Sequence, residues 1–501
     1  MKLSNFDITA FISGACIMVL EILGSRIVAP YIGTSLYVWT SLIGVIMFAL
    51  AIGYYFGGRI ADKHRNVDHL SAIFLISALF VIAIPLLSPF MMDFGMKLDP
   101  KLGSIVAALV LFFMPAALMG MVSPYIIRLT TERVEAVGSS SGKIFAISTA
   151  GSILGTFLAG FILIPLFGTK AIIYGIGVVL FLLAVSLKSG SKNSMKVQFA
   201  IFAVFFIISA SLSYSGFLKY PENGDIIYAT ETPYYLLSVR EFSDARVLFM
   251  DRYPQAAIKA VGNGNSSEAN SSSSGALFYL HTEFISLIPF TSPNATDYLT
   301  VGAGACTEQT YLLKNTNYSV DSVELDPTTF EVCHAYFGYP DTKRTTHIIS
   351  DGRAYLNDAS GKKYDVIRTD VFTSGCQTPF HLSTLEYVKA VKNRLTPRGI
   401  SWLTVPGTLD GEGSEFIKSQ FAVYKSVFKN IYIFLESKDK NAKQSIGVFA
   451  TDLDLNISSI LDNPKVNKFA EYYYIPKESD FGKVLTDDYA PVEAMLDRMC
   501  T

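Results

Sequence analysis

The sequence is short of charge. Only 17% of its 501 residues are Asp, Glu, Lys or Arg, where soluble proteins carry about a quarter. That deficit excludes a disordered chain and an ordinary cytosolic enzyme over the full length. There is no excess of either sign: 41 basic residues face 43 acidic ones, a net charge of −2. No bulk attraction to nucleic acid follows from such a balance. No signal peptide is evident, because the first apolar run is too long and Arg26 and Pro30 do not form a small-residue cleavage site. The five cysteines and six histidines show no metal-ligand spacing, so no metal is expected.

What is present is apolar surface. Half the residues are hydrophobic, and the mean hydropathy is +0.36. The excess lies in the first 215 residues or so, as seven runs of spanning length near 8–30, 36–58, 70–90, 103–127, 143–167, 169–187 and 197–214. With seven spans, the N-terminus and every second loop share a side. That side carries Lys2, Arg59, Lys63, Arg65, Arg128, Arg133, Lys143, Lys188, Lys192 and Lys196; the other carries Arg26, Lys97, Lys101, Lys170 and Lys219. Ten against five favours the N-terminus inside, which puts everything after the last span outside. Within the spans, Glu21 is a costly carboxylate, either part of a substrate or proton path or paired structurally with Arg26 or a neighbouring span. Gly53 with Gly57 and Gly151 with Gly155 are spaced for close helix packing.

From Tyr220 the polarity is that of a soluble domain. It holds sequons at Asn265, Asn270, Asn294, Asn317 and Asn456, usable only on an outer face, and four cysteines, Cys306, Cys333, Cys376 and Cys500. An even number suits disulfides in an oxidising compartment, and buried free thiols suit it as well. Segments 225–231, 235–240 and 245–250 alternate as strands of a small antiparallel sheet. Residues 261–275 are of low complexity and read as a loop, followed by a helix over 278–288. Then strands and helices alternate, with strands at 297–301, 319–325, 346–350, 364–369 and 400–405, which specifies a parallel sheet covered on both faces. Two more apolar strands, 431–435 and 445–450, close it. The fold class expected is a multi-spanning α-helical membrane domain over 1–218, a small β-sheet and loop over 219–290, and an α/β Rossmann-like, methyltransferase-type domain over 291–501.

Chemistry in such a sheet gathers at the carboxyl ends of the strands. Gly302 and Gly304 follow the first strand, Glu324 ends the second, Asp351 and Gly352 follow the third and Asp370 the fourth. Glycines admit a close backbone approach, and an acid about 20 residues on can accept from both ribose hydroxyls. Together they point to an adenosine-containing ligand of the S-adenosylmethionine type.

Val323-Glu-Leu-Asp-Pro327, Ser350-Asp-Gly-Arg353, Tyr364-Asp-Val-Ile-Arg-Thr-Asp-Val-Phe372 and Thr378-Pro-Phe-His-Leu-Ser-Thr-Leu-Glu-Tyr387 resemble the spermidine synthase (polyamine aminopropyltransferase) family. Ser13-Gly-Ala, Glu21-Ile-Leu-Gly-Ser-Arg26, Gly33-Thr-Ser-Leu-Tyr37 and Gly151-Ser-Ile-Leu-Gly-Thr156 resemble a multi-spanning module fused to such synthases in some bacteria and archaea. The resemblance implies transfer of an aminopropyl group from decarboxylated S-adenosylmethionine, as co-substrate, to a diamine such as putrescine, with no prosthetic group. It implies that Glu324 holds the ribose, that Asp351 and Gly352 flank the adenine, and that Asp370 is the base. Tyr228, Glu231 and Tyr234 match the motif lining the polyamine site. A small amine and membrane lipid are the implied partners, without nucleic acid; homo-oligomerisation stays open. The chain departs from the family pattern at Ala305-Cys306, where a further Gly and often an Asp stand, at Tyr235 in place of Gln, and at Thr373 in place of a second aspartate. Arg368, two residues before Asp370, can pair with it and would repel a diamine. Two functions from different classes are therefore open, a membrane-anchored aminopropyltransferase and a repurposed membrane protein that uses the synthase fold as an extracytoplasmic binding module, with a methyltransferase on the same sheet as a third.

Overall fold

The computed structural model describes residues 4–32, 36–95, 98, 100–131, 133, 136–188, 192–214, 224–259, 277, 279–358, 361–372, 377–411 and 413–496. Thr373, Cys376, Cys500, Asn265, Asn270, Gly33 and the segment 261–275 lie outside them. The chain divides into two compact units, Met1–Glu222 and Asn223–Thr501.

The first unit is helical. Among the described residues, seven of its helices are long and apolar enough to cross a membrane, including Asn5–Val28, Leu36–Lys63 and Val137–Leu166. Their contacts explain the glycine spacing. A Cβ on Gly151 would lie 2.0 Å from the Phe11 carbonyl oxygen and one on Gly155 2.6 Å from that of Ala15, so the fifth span lies backbone to backbone on the first. Gly53 likewise faces Ala117 and Gly57 faces Met121. Near the first helix's start, the buried Asp7 takes a 2.7 Å ion pair from Lys143.

The second unit holds two sheets. The smaller is an antiparallel meander of four strands, β1 (Asp225–Glu231), β2 (Leu236–Glu241), β3 (Ala245–Met250) and β4 (Tyr253–Lys259), in that order. Three of these strands are expected from the alternation; β4 begins with Tyr-Pro-Gln and carries no such pattern.

The larger sheet comprises β5 (Asp297–Val301), β6 (Ser319–Glu324), β7 (Thr345–Ile349), β8 (Tyr364–Thr369), β9 (Leu395–Gly407), β10 (Asn430–Leu435), β11 (Gln444–Thr451) and β12 (Tyr473–Tyr474). Their order is β12-β10-β11-β9-β8-β5-β6-β7. The expectation of a parallel sheet needs correction. Strands β9 through β7 are parallel, but the pairs β9–β11, β10–β11 and β10–β12 are antiparallel. The reason is connection length: only residues 436–443 join β10 to β11, too few for a parallel crossover. The helix expected over 278–288 is also broken, into Leu280–Glu283, a 3-10 turn Phe284–Leu287 and Ile288–Thr291.

Local chemistry fixes the helices between the parallel strands. Asp326 caps Pro327–Tyr336 by accepting from the Thr328 amide, with Pro327 at the first helical position. Thr384 caps Leu385–Arg394 in the same way, from the Tyr387 amide. The chain goes from β5 outward to β6 and β7, then returns to β8 on the other side of β5. The strand order reverses between β5 and β8, and the crevice beyond their carboxyl ends is where such sheets take ligands.

Candidate active site

The loop after β5 is shaped by Gly302. It adopts φ +91°, and a Cβ there would lie 2.2 Å from the Asp370 carbonyl oxygen. Only glycine lets this loop pass under the end of β8. Cys306 then takes φ 53° and opens the helix Thr307–Asn315. A disulfide joins Cys306 to Cys333, tying this loop to the helix that follows β6. Of the two readings open for these cysteines, the bridge is the one found for this pair; among the described residues Cys16 is a free, buried thiol.

Glu324 ends β6 beside the loop. One of its oxygens accepts from the Ala303 amide at 2.9 Å; the other accepts from Leu325 at 2.7 Å and Asp326 at 3.2 Å. Burial raises its affinity for a proton, and those three amides only partly offset the effect. Carboxylate oxygens have further lone pairs, so the group remains able to accept from a ribose. Asp351 caps the helix Gly352–Asn357 through the Ala354 amide and takes His381 Nε2 at 3.1 Å. Burial would raise its pKa, but the Ala354 amide and His381 outweigh it and hold it below the usual range. A Cβ on Gly352 would meet Val301 at 2.3 Å, so this glycine seats the helix against β5.

Asp370 follows β8 and is not alone. Its Oδ2 pairs with the Arg368 guanidinium at 2.9 Å, while Oδ1 is buried without a hydrogen-bond partner. The same guanidinium grips Glu308 with two bonds, at 2.9 and 2.8 Å, and donates to Thr404 at 2.6 Å. It lies 3.8 Å from the Trp402 ring centroid. Burial opposes the Arg368 charge, but Asp370 and Glu308 reverse that and keep it cationic. Burial raises the Glu308 pKa even against Arg368. The pairing of Arg368 with Asp370 matches the reading of the strand. The repulsion expected for a diamine is offset, because Glu308 supplies a second negative charge to the group.

Gly302, Gly304, Glu308, Arg368 and Asp370 line a chamber of about 50 Å³. That volume takes the end of a ligand rather than an adenosine. Beside it lies a cleft of about 340 Å³ lined by Tyr279, Glu436, Lys443, Gln444 and others. The two share Gln255, His281 and Phe372. Glu324, Asp351 and Gly352 sit at neighbouring strand ends but do not line either cavity. Neither do Tyr228, Glu231 and Tyr234. Tyr228 packs against Tyr336, 5.2 Å between centroids, and Tyr234 is exposed beside Tyr235. Tyr235 turns inward instead, its hydroxyl 3.1 Å from that of Thr329.

Three contributors were not read from the sequence. Glu308 had a signal, an acid in the first helical turn after the glycine loop. His281 and Glu436 lie 155 residues apart and carried none.

No family model matches the chain. A probable polyamine aminopropyl transferase of Bifidobacterium longum is 26% identical over 329 residues, covering 61% of this chain and 70% of that protein. A polyamine aminopropyltransferase of Vibrio vulnificus is 32% identical over 117 residues, covering 23% of this chain and 37% of its own length. Among solved structures, a probable spermidine synthase from Corynebacterium glutamicum superposes with a TM-score of 0.41 at 18% identity, over 52% of this chain and 96% of its own. By sequence, the chain is similar to polyamine aminopropyltransferases, the family its strand-end motifs resemble.

Proposed function

We propose that the C-terminal unit transfers an aminopropyl group from decarboxylated S-adenosylmethionine to a small amine, and that the N-terminal unit holds it in a lipid bilayer. The observation that carries this reading is the unpartnered Asp370 Oδ1, buried beside Gly302 and Gly304 in one chamber. A buried carboxylate oxygen without a donor is costly, and an incoming ammonium would satisfy it. The donor's ribose would lie on Glu324 and its adenine near Asp351 and Gly352, with the sulfonium over the glycine loop. Tyr228, Glu231 and Tyr234 would line the outer approach of the amine. The bond made is amine nitrogen to the propyl carbon on sulfur; the carbon–sulfur bond breaks, its electron pair stays on sulfur, and methylthioadenosine leaves.

The test is turnover by the full chain in detergent, with decarboxylated S-adenosylmethionine and putrescine, reading methylthioadenosine release. Asp370→Asn is expected to lower kcat/KM by about 10²-fold or more, on the scale of a lost charge-assisted contact to the reacting group. Equal rates for the two proteins would remove Asp370 from the site.

A second reading, an extracytoplasmic binding module, is favoured by one observation. The Cys306–Cys333 disulfide is of a kind that persists in oxidising compartments, away from a cytosolic donor.

A further inference from the structure

His281 stands at the junction of the two cavities. Its Nδ1 lies 2.7 Å from Glu436 Oε1, and its own backbone amide donates to the same oxygen at 3.0 Å. Glu436 Oε2 is held by the Ser445 amide at 2.9 Å. Burial would raise the Glu436 pKa, but the His281 ring and these amides outweigh it and keep it anionic. A carboxylate can only accept, so Nδ1 carries a hydrogen, and in the neutral ring the lone pair is then on Nε2. The ring is fixed a second way, stacked on Tyr279 at 5.5 Å and 15°. This is the arrangement of a base oriented by an acid.

Asp370 is placed differently. One oxygen is committed to Arg368, and only Oδ1 is free. A short amine chain lying in the larger cleft with its reacting end in the chamber must pass His281. The charged and titratable groups around that ring are Glu436, Tyr279 and Lys443 on the cleft side, and Glu308, Arg368 and Asp370 on the chamber side.

We propose that His281, oriented by Glu436, is the proton acceptor for the attacking amine, while Asp370 with Arg368 binds the nitrogen rather than deprotonating it. This rests on the transferase reading above. The ammonium gives one proton to His281 Nε2 and becomes a neutral amine. Its lone pair attacks the propyl carbon, the carbon–sulfur electrons pass to sulfur, and the product is a secondary ammonium with a neutral thioether. The proton on His281 then leaves through the larger cleft to solvent. Glu436 is a positioning residue in this scheme, and the substrate class is a primary amine taken up as its ammonium.

The experiment uses the full chain in detergent, with putrescine as acceptor, and compares His281→Gln, Glu436→Gln and Asp370→Asn over pH 6 to 10. Methylthioadenosine binding by calorimetry reports whether each variant keeps its donor site. The expected result for His281→Gln is intact methylthioadenosine binding and a kcat lowered by about 10²-fold or more, the range of a lost general base. Its remaining rate should climb with pH as free amine accumulates in solution. Glu436→Gln should lower kcat less and shift the same pH limb, whereas Asp370→Asn should act mainly on the KM for putrescine. A His281→Gln protein that binds methylthioadenosine and keeps a wild-type kcat and pH profile would overturn the proposal while leaving the transferase reading intact. A wild-type chain that binds methylthioadenosine but transfers to no di- or polyamine would overturn both.

Discussion

Arg368 joins two carboxylates inside the protein. It is fully buried, doubly bonded to Glu308 and singly bonded to Asp370. Such a group is held together by pairing rather than by its net worth, because desolvation consumes most of the Coulombic gain. Arg368→Met therefore strands Glu308 in the interior, and a loss of about 3–5 kcal/mol is expected from the urea midpoint of the soluble transition. The double change Glu308→Gln with Arg368→Met should recover most of that loss. If the two changes instead destabilised additively, Glu308 and Arg368 would not be coupled as their bonds imply.

Among the elements, the contact between the first and fifth spans has the least room. Gly151 and Gly155 leave no space for a side chain against Phe11 and Ala15. At Gly160, nine residues beyond Gly151, a Cβ would meet nothing within 4 Å. Gly151→Leu is expected to lower the thermal stability of the detergent-solubilised chain by several degrees and Gly160→Leu to leave it unchanged. Equal effects would show that residue volume in that helix, rather than this contact, sets the response. The glycine loop after β5 follows the same logic at the site. There a backbone approach, not a side chain, brings β5 and β8 close enough to share one chamber.

For the whole molecule, the question is on which side residues 224–501 lie. Loop charges of ten against five favour the outside, and the Cys306–Cys333 bridge agrees with an oxidising compartment. The exposed sequons at Asn294, Asn317 and Asn456 would be open to modification there. Protease accessibility in sealed vesicles of known orientation reads the side directly. Protection of the C-terminal unit from the outer face is the result the transferase reading requires; cleavage there would separate the unit from a donor made in the cytosol and favour the binding-module reading.

The sequence by itself determined most of the elements and their order. Spanning runs and alternating strands are local patterns, so the seven long apolar helices found among the described residues, three strands of the small meander and the βα alternation could be read from neighbours along the chain, whereas β4, β12 and the breaks within 280–291 could not. The strand-end residues Gly302, Glu324, Asp351 and Asp370 were legible for the same reason, since topology puts all carboxyl ends of parallel strands on one rim. Arg368 beside Asp370 was legible too, two residues apart on one strand face. What only the tertiary structure decided depends on distance in sequence. Glu308 meets Arg368 across 60 residues, and His281 meets Glu436 across 155. Cys306 finds Cys333 rather than another thiol because the loop after β5 and the helix after β6 pack side by side. The antiparallel edge beyond β9 belongs to the same class. A strand's own residues fix its faces, but its direction in the sheet is set by the length of the connection and the neighbour it reaches.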